Sequence, residues 1–578
     1  MILAAGALKF PDKFILVGYF LLMLGIGAYF YRHMRGMKDY FTGANMIPWW
    51  LSGVSFYMAS FSAFTFVFYS SLAYQYGWVA VTLFWVTVPA TLISVIFFST
   101  RWRRARIDSP VEYLETRYSP TVRQLFAWHG LPVRIVDDAL KLVATGTFLS
   151  AGLGLDLKQS MLWSGLIMLA YTFMGGLWAV AVTDFVQFVV LAVAVVILLP
   201  LSMAATGGVA DFVRNAPEGF FRLTHAEFGW PYVLCQVLVF SIAFSSINWS
   251  LIQRYFCVPK ERDARKVGWL VVGLNIVGPP LMFIPAMAAR QFLPSLADAG
   301  QVYPLLCARL LPAGMLGLMI AAMFAATMST LSSDYNVCAN VLTVDVYRRL
   351  VRPAASQREL VFVGRAMTLL VGVVSLGLAF WLARSQGVEQ FRNMVKLFSI
   401  AAAPVGIPML LGLLSGRTTG LGALTGFLAG VGVGLAVFLG APDETGLFGV
   451  MWKKENLLVL STSLTTLVVT IAVSRFAAAD APERRRVEDF MRRLTIPIGE
   501  SANDRAMAGG TDQHVVSPFR VVAVCTLLIG VMMLCVLPWS SGRMSFLMNL
   551  VIGGGLSAVG GVVLWRSRSP AVPMENSQ

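Results

Sequence analysis

Charge is what this chain has least of. Asp, Glu, Lys and Arg make up 13% of its 578 residues, while 57% are hydrophobic and mean hydropathy is +0.71. A soluble protein carries about 25% charged residues, so the deficit excludes a soluble enzyme, a nucleic-acid binder and a disordered chain. Histidine is nearly missing, with four in all, which leaves little for haem ligation or a histidine proton relay. No GxxxxGK[ST] stretch is present to cradle a nucleotide phosphate, so ATP is not expected as the direct fuel. The six cysteines (Cys235, Cys257, Cys307, Cys338, Cys525 and Cys535) form no CxxC pair and fall mostly in apolar stretches, which predicts free buried thiols. What remains is a polytopic membrane protein.

A membrane-crossing helix needs about 20 mostly apolar residues. That rule places spans near 14–31, 48–69, 77–98, 126–153, 160–178, 182–202, 231–251, 268–290, 314–343, 359–383, 393–415, 419–440, 456–474, 519–538 and 545–565, about fifteen in all. The first is long, lacks a small-residue cleavage site and is followed by Arg32, His33, Arg35 and Lys38, so it is read as a retained helix, not a cleaved signal. The net charge of +15 sits in short loops rather than on a nucleic-acid face. With the amino terminus outside, the basic loops Arg101–Arg123, Arg254–Lys266, Arg348–Arg358 and Arg475–Arg520 all fall on the cytoplasmic side, as the positive-inside rule requires. Loops 203–229 and 440–454 on the other side are weakly charged or acidic. Segment 475–518, with Ala477–Ala479 ahead of Arg484–Arg486, reads as an exposed, partly helical connector. Gly422, Gly426, Gly430 and Gly434 recur every four residues and predict one helix face made for close packing.

The informative residues are polar ones at membrane depth, where a charge costs about 2.5–3.5 kcal/mol even on the gentler scales. Span 314–343 runs Ala325-Ala326-Thr327-Met328-Ser329-Thr330-Leu331-Ser332-Ser333-Asp334-Tyr335-Asn336. Helical spacing puts Ser329, Ser333, Asn336 and Asn340 on one stripe, flanked by Ser332 and Ala326. Such oxygens suit an alkali cation, or the serines bond back to their own helix. Span 182–202 opens with Thr183, Asp184 and Gln187 after Gly175-Gly176; the acid either neutralises a cation or caps the helix start. Spans 48–69 (Ser52, Ser55, Ser60, Ser62, Thr65) and 231–251 (Ser241, Ser245, Ser246, Asn248, Ser250) carry side chains able to satisfy a broken backbone. Four spans separate them, which fits the first helices of two five-helix inverted repeats, 48–202 and 231–415.

These residues carry a resemblance. Tyr40-Phe41-Thr42-Gly43 before Pro48-Trp49-Trp50, Gly175-Gly176-Leu177 leading to Thr183-Asp184-Phe185-Val186-Gln187, Gln253-Arg254, and Ala325–Ser333 continuing through Asn336 to Asp345-Val346-Tyr347-Arg348 resemble the sodium/solute symporter family over residues 10–415. The resemblance implies an all-α polytopic fold with a five-plus-five inverted-repeat core, and sodium-coupled uptake. It implies a common sodium site from the carbonyls of Met58, Phe61 and Ala326 and the hydroxyls of Ser329 and Thr330. It also implies, as in some members, a second site from Asp184, Ser329, Ser332 and Ser333. Asp334 is an extra acid beside these residues.

Span 126–153 carries Arg134, Asp137, Asp138 and Lys141; Arg134, Asp138, Lys141 and Thr145 share a stripe, with Asp137 offset from it. One reading is internal pairing at four-residue spacing, Arg134 with Asp138 and Asp137 with Lys141. The other is that Arg134 or Lys141 clamps a substrate carboxylate, as the resemblance to acidic-sugar carriers implies for an arginine on the third core helix. Sugar carriers of the family use a Gln and a Glu where Thr65 and Phe84 stand here, whereas Ser60, Ser62 and Thr65 resemble the hydroxyl set of the acidic-sugar carriers. Further candidate pocket residues are Ser241, Phe244, Ser245, Asn248 and Lys396. The expected protein is therefore a non-enzymatic symporter of the inner membrane that imports a small carboxylated or zwitterionic solute by alternating access. A neutral sugar or polyol is the alternative, and a channel or sensor a more distant one. The domains expected outside the repeats are residues 1–47 (a first helix and loop), 416–474 (accessory helices), 475–518 (the linker) and 519–578 (a final helix pair and tail). Its expected partners are sodium, the solute and the lipid bilayer.

Overall fold

The computed structural model describes residues 8–33, 43–60, 62–107, 110–172, 177–383, 388–447, 450–477, 480–498, 518–540 and 542–566. Phe61, Gly175, Gly176, the stretch 34–42 and, in the linker, residues 478–479 and 499–517 lie outside the described residues. Helices α1 (Phe10–His33), α2 (Trp49–Ala59), α3 (Ala63–Tyr76), α4 (Val79–Arg104) and the short α5 (Pro110–Arg117) lead to α6 (Pro120–Leu153), α7 (Leu157–Thr172) and α8 (Leu177–Ala205). Next come α9 (Trp230–Ile247), α10 (Trp249–Phe256), α11 (Glu261–Phe292), α12 (Val302–Leu310), α13 (Met315–Val351), α14 (Gln357–Leu382) and α15 (Val388–Leu414). The chain closes with α16 (Gly420–Gly440), α17 (Lys454–Phe476), α18 (Ala481–Thr495), α19 (Pro518–Cys535) and α20 (Arg543–Arg566).

Among the described residues twelve helices are long and apolar enough to cross a membrane, and the bent pair α2–α3 makes a thirteenth. Two of the fifteen expected spans fall short of that test: α7 has 16 residues, and α6 carries Arg134, Asp137, Asp138 and Lys141 along its length. An antiparallel hairpin of β1 (Glu444–Leu447) and β2 (Val450–Lys453) pairs Glu444 with Lys453 in a loop that was expected only to be weakly charged. Five cysteines are buried as expected, while Cys535 is exposed.

α13 is the enclosed centre of the bundle, packed by α1, α2, α6, α7, α8 and α14. Its start is fixed from outside the repeats: buried Asp12 of α1 accepts from the backbone N–H of Gly314 at 2.7 Å and of Gly317 at 2.9 Å. A carboxylate there satisfies two amides that the helix cannot. Gly317 has no Cβ to keep the Asp12 backbone away.

Two helices break in mid-bundle. α2 ends at Ala59 and α3 restarts at Ala63, bent by 59°. α9 loosens at Ala243–Ile247, and Asn248 (φ −81, ψ 85) leaves helical geometry before α10. Inside a membrane each freed backbone group needs a partner.

The glycine ladder of α16 meets a matching ladder on α17. A Cβ at Gly422, Gly426, Gly430 or Gly434 would run into Ser474, Thr470, Thr466 or Thr462 respectively. The connector helix α18 differs from expectation by being docked: Val487, Phe490 and Leu494 are buried, and Phe490 lies 5.5 Å from Tyr113 of α5, ring centre to ring centre.

Gly426→Leu is expected to force α16 from α17 and cost about 1–3 kcal/mol as an overpacked site. Gly432→Ala, which meets nothing within 4 Å, should melt with the parent. Thermal unfolding of the two purified variants checks the pair; equal melting would mean the ladder is not an interface.

Candidate functional site

The breaks are repaired crosswise. The Thr327 hydroxyl of α13 accepts from the Ala63 N–H at 3.0 Å, taking up a donor freed at the start of α3. Arg134 of α6 donates through Nη2 to the Ile247 carbonyl at 2.7 Å, at the break between α9 and α10. Thr145 of α6 then donates to Thr327 at 2.9 Å, tying the two repairing helices together. Ser62 and Thr65 form a local capping box at the start of α3.

Beside the first break lie the residues expected around sodium. Met58, Ala326, Ser329, Thr330, Ser332 and Ser333 are all buried. The Thr330 hydroxyl donates to the Ala326 carbonyl at 3.0 Å, and that of Ser332 to the Ser329 carbonyl at 3.2 Å. Those two serve their own helix in this state, as the back-bonding reading anticipates. The Ser329 hydroxyl and Asp184 Oδ1 differ: both are buried, they lie side by side, and neither has a well-formed hydrogen bond.

Two residues in this region went unassigned. Ser55 of α2 donates to Asp184 Oδ2, and Arg254 of α10 donates through Nε to the Ser55 hydroxyl at 2.7 Å. Arg254 Nη2 lies 3.6 Å from Asp184 Oδ2 and donates to the Ser333 hydroxyl at 3.3 Å. Arg254 and Asp184 are both 0% exposed. One guanidinium thus joins α2, α8, α10 and α13 through the acid expected in the second sodium site. The sequence held a signal, since Arg254 follows the serine-rich break and Ser55 stands in the serine list, but no spacing links them.

Between the breaks lies a cavity of about 140 Å³. Ser60, Ser62, Thr65, Arg134, Phe244 and Asn248 line it as expected, joined by Thr330, Gln236, Asp137 and Lys141. Thr65 and Phe84, the two positions expected to set this chain apart from sugar carriers, both reach its wall. Ser241 and Ser245 do not line it: the Ser241 hydroxyl donates to the Val237 carbonyl at 2.6 Å, and Ser245 packs where its carbonyl accepts from the Trp102 indole. Lys396 also lies elsewhere, 3.8 Å from Asp443 and 4.0 Å from Glu455.

The charges of α6 pair differently from the four-residue rule. Asp137 does meet Lys141, at 2.8 Å, but Arg134 lies nearest Asp334, at 3.7 Å, and Asp137, at 3.9 Å, rather than Asp138. Lys141 also holds Asp138 at 3.3 Å and Asp334 at 2.9 Å. The acid that looked extra on α13 therefore takes both cations of α6 as neighbours. Arg134 keeps both carboxylates beyond hydrogen-bond reach, so its guanidinium remains available to the cavity.

A helical membrane bundle with two facing breaks around a polar cavity is a solute carrier. Its architecture is that of a solved Na+-coupled sialic acid symporter in a substrate-bound outward-open state: TM-score 0.71, 22% identity, covering 81% of this chain and 98% of that one. The five-plus-five inverted-repeat class expected for the fold is the class found. The Sodium:solute symporter family matches residues 40–224 and 266–430, and the chain belongs to that family. It is similar to the sodium/sialic acid symporter of Proteus mirabilis, 26% identical over 76% of this chain and 92% of the relative. It is also similar to the sodium/glucose cotransporter of Vibrio parahaemolyticus, 26% identical over 73% and 84%, and to the rat sodium/myo-inositol cotransporter 2, 26% identical over 82% and 78%. The chain is a sodium-coupled membrane symporter.

Arg254→Met should strand Asp184 as a buried, uncompensated anion and cost about 3–5 kcal/mol. Adding Asp184→Asn should recover most of the lost melting temperature. A single variant that melts like the parent would show that Asp184 has another compensating charge.

Proposed function

We propose that this symporter brings a small carboxylated solute across the inner membrane, amino terminus outside and carboxy terminus in the cytoplasm, with Arg134 receiving the carboxylate. The observation that carries this reading is the state of Arg134. It lines the cavity, makes its direct bond to a backbone carbonyl, and stands 3.7 Å or more from its acidic neighbours. A guanidinium so placed matches a carboxylate in a two-pronged bond. Relatives named for sialic acid transport support the same class of solute. Ser60, Ser62, Thr65, Phe244 and Asn248 would complete the pocket around its hydroxyls and carbon frame.

Sodium would occupy the common site by drawing the Ala326 carbonyl and the Thr330 hydroxyl away from each other and adding the Ser329 hydroxyl and the Met58 and Phe61 carbonyls. A second ion would take Asp184 Oδ1 with Ser329, Ser332 and Ser333, sharing the carboxylate with Arg254. Each ion moving down 100 mV and a tenfold gradient yields about 3.7 kcal/mol. Two ions would therefore sustain far steeper accumulation than one. Ion occupancy would hold the outward-open form until the solute completes the site.

Replacing Ser329 and Thr330 together by alanine should abolish sodium-stimulated uptake in proteoliposomes; uptake with unchanged sodium dependence rules out the common-site assignment. Asp184→Asn should lower the sodium Hill coefficient towards one while some transport persists. For the solute, N-acetylneuraminate and other sugar acids should raise the melting temperature of the parent in sodium but not of Arg134→Ala. Stabilisation by neutral sugars or polyols alone would favour the alternative class.

A further inference from the structure

Five ionisable side chains meet between α6 and α13, and their charges do not balance. Arg134 and Lys141 face Asp137, Asp138 and Asp334, so three carboxylates share two cations and one negative charge is left over. All five are buried, from 0% exposed for Asp138 to 8% for Lys141. An uncompensated charge in such a place is among the costliest arrangements a membrane protein can hold. One oxygen from each of the three acids lies within 4.8 Å of the others, a spacing at which neighbouring carboxylates do not all stay ionised.

Geometry singles out one of the three. An ammonium has three hydrogens to donate, and Lys141 directs them to Asp137 Oδ2 at 2.8 Å, Asp334 Oδ2 at 2.9 Å and Asp138 Oδ1 at 3.3 Å. Asp137 also lines the cavity, and Asp334 has Arg134 as a second cation. Asp138 has only the longest of the three lysine contacts. Its other oxygen, Oδ2, is buried with no donor, and the residue does not line the cavity. The missing positive charge must therefore reach an enclosed oxygen, which a hydrated ion or the ammonium of a solute is too large to do. A proton is not.

We propose that Asp138 is a proton-binding site: Oδ2 carries a proton and donates it towards the Asp334 carboxylate, leaving the five-group cluster neutral. One oxygen of Asp334 lies within 4.8 Å of an Asp138 oxygen. The proton comes from cavity water, relayed by Asp137 and Lys141, which line the cavity. A hydronium ion becomes water, an O–H bond forms on Asp138, and no electrons are transferred. The ionisable groups around the site are Arg134, Asp137 and Lys141 on α6 and Asp334, Tyr335 and Cys338 on α13. Of the other helices against α6, α14 brings the Ser375 hydroxyl towards Tyr335, α3 brings Tyr69 to the cavity wall, α7 leaves Lys158 exposed, and α15 keeps Lys396 by Asp443 and Glu455.

One consequence rests on the reading of Arg134 given above. A carboxylated solute adds another negative charge beside the cluster, so the protonated cluster accepts it more readily than the ionised one. By linkage, solute binding weakens as alkaline pH strips the proton, and bound solute holds the proton in place.

The site itself is tested without any solute. Infrared spectra of the ligand-free protein in nanodiscs, in water and in heavy water, should show a protonated-carboxyl C=O band at neutral pH that fades at alkaline pH. That band should be missing from Asp138→Asn and retained in Asp184→Asn, whose acid lies outside the cluster beside Arg254. Its absence from the parent, or its persistence in Asp138→Asn, overturns the proposal. Because an amide replaces a neutral acid almost atom for atom, Asp138→Asn should fold and melt with the parent, whereas Asp334→Asn, which removes an ionised partner of Lys141, should melt lower. An Asp138→Asn chain that cannot fold would show that the anion is required and overturns the proposal equally.

Discussion

A helix interrupted inside a bilayer leaves backbone groups that neither water nor lipid can satisfy, and the rest of this structure follows from how they are satisfied. The break between α2 and α3 is met by Thr327 on α13, and the break between α9 and α10 by Arg134 on α6. In the order of the ten core helices these are the eighth serving the first and the third serving the sixth, which is the exchange an inverted repeat produces. The two serving helices are then bonded to each other through Thr145–Thr327 and Lys141–Asp334, with Arg134 3.7 Å from Asp334. The polar side chains that sequence analysis finds costly therefore converge on one place. They repair the backbone, and the cavity between the breaks opens beside them.

What was legible in the sequence was whatever repeats along one helix. The serine-rich stretch of α13, the glycine ladder of α16 and the charged stripe of α6 each announce a face. What was not legible was the partner of each face. Ser55 and Asp184 are 129 residues apart, Arg254 and Ser55 199, and Lys141 and Asp334 193. A four-residue offset predicts a meeting on an isolated helix, but Arg134 and Asp138 obey a stronger preference once α13 supplies Asp334. The same limit explains why Ser245 was expected at the cavity and is not there, whereas Ser241 precedes the widening and turns its hydroxyl back to its own helix. At the π-type widening of Ala243–Ile247 the 100° step no longer holds, so the face a serine occupies cannot be counted forward from its neighbours.

Hydropathy was similarly informative wherever a helix is apolar along most of its length, the enclosed α13 included. The outer helices α16, α17, α19 and α20 read plainly as spans. α6 does not, because its polar surface faces α13 and the cavity rather than acyl chains, and a hydropathy scale has no means of knowing that. The connector α18 shows the converse. Its arginines made it look solvated throughout, yet Val487, Phe490 and Leu494 on one face lock it against α4 and α5.

The two buried acids with the most electrostatic leverage, Asp184 and Asp334, each have a cation supplied by the protein: Arg254 for one, Lys141 for the other. A carrier that works by alternating access must return with its sites empty, and a bare carboxylate at membrane depth would make that return step prohibitive. A tethered guanidinium or ammonium removes the difficulty, because it is part of the protein and stays in every state. Under the proposed assignment of Asp184 to a second sodium ion, the shared carboxylate would also hold that ion less tightly, so Arg254 would tune its release as well as compensate the empty site.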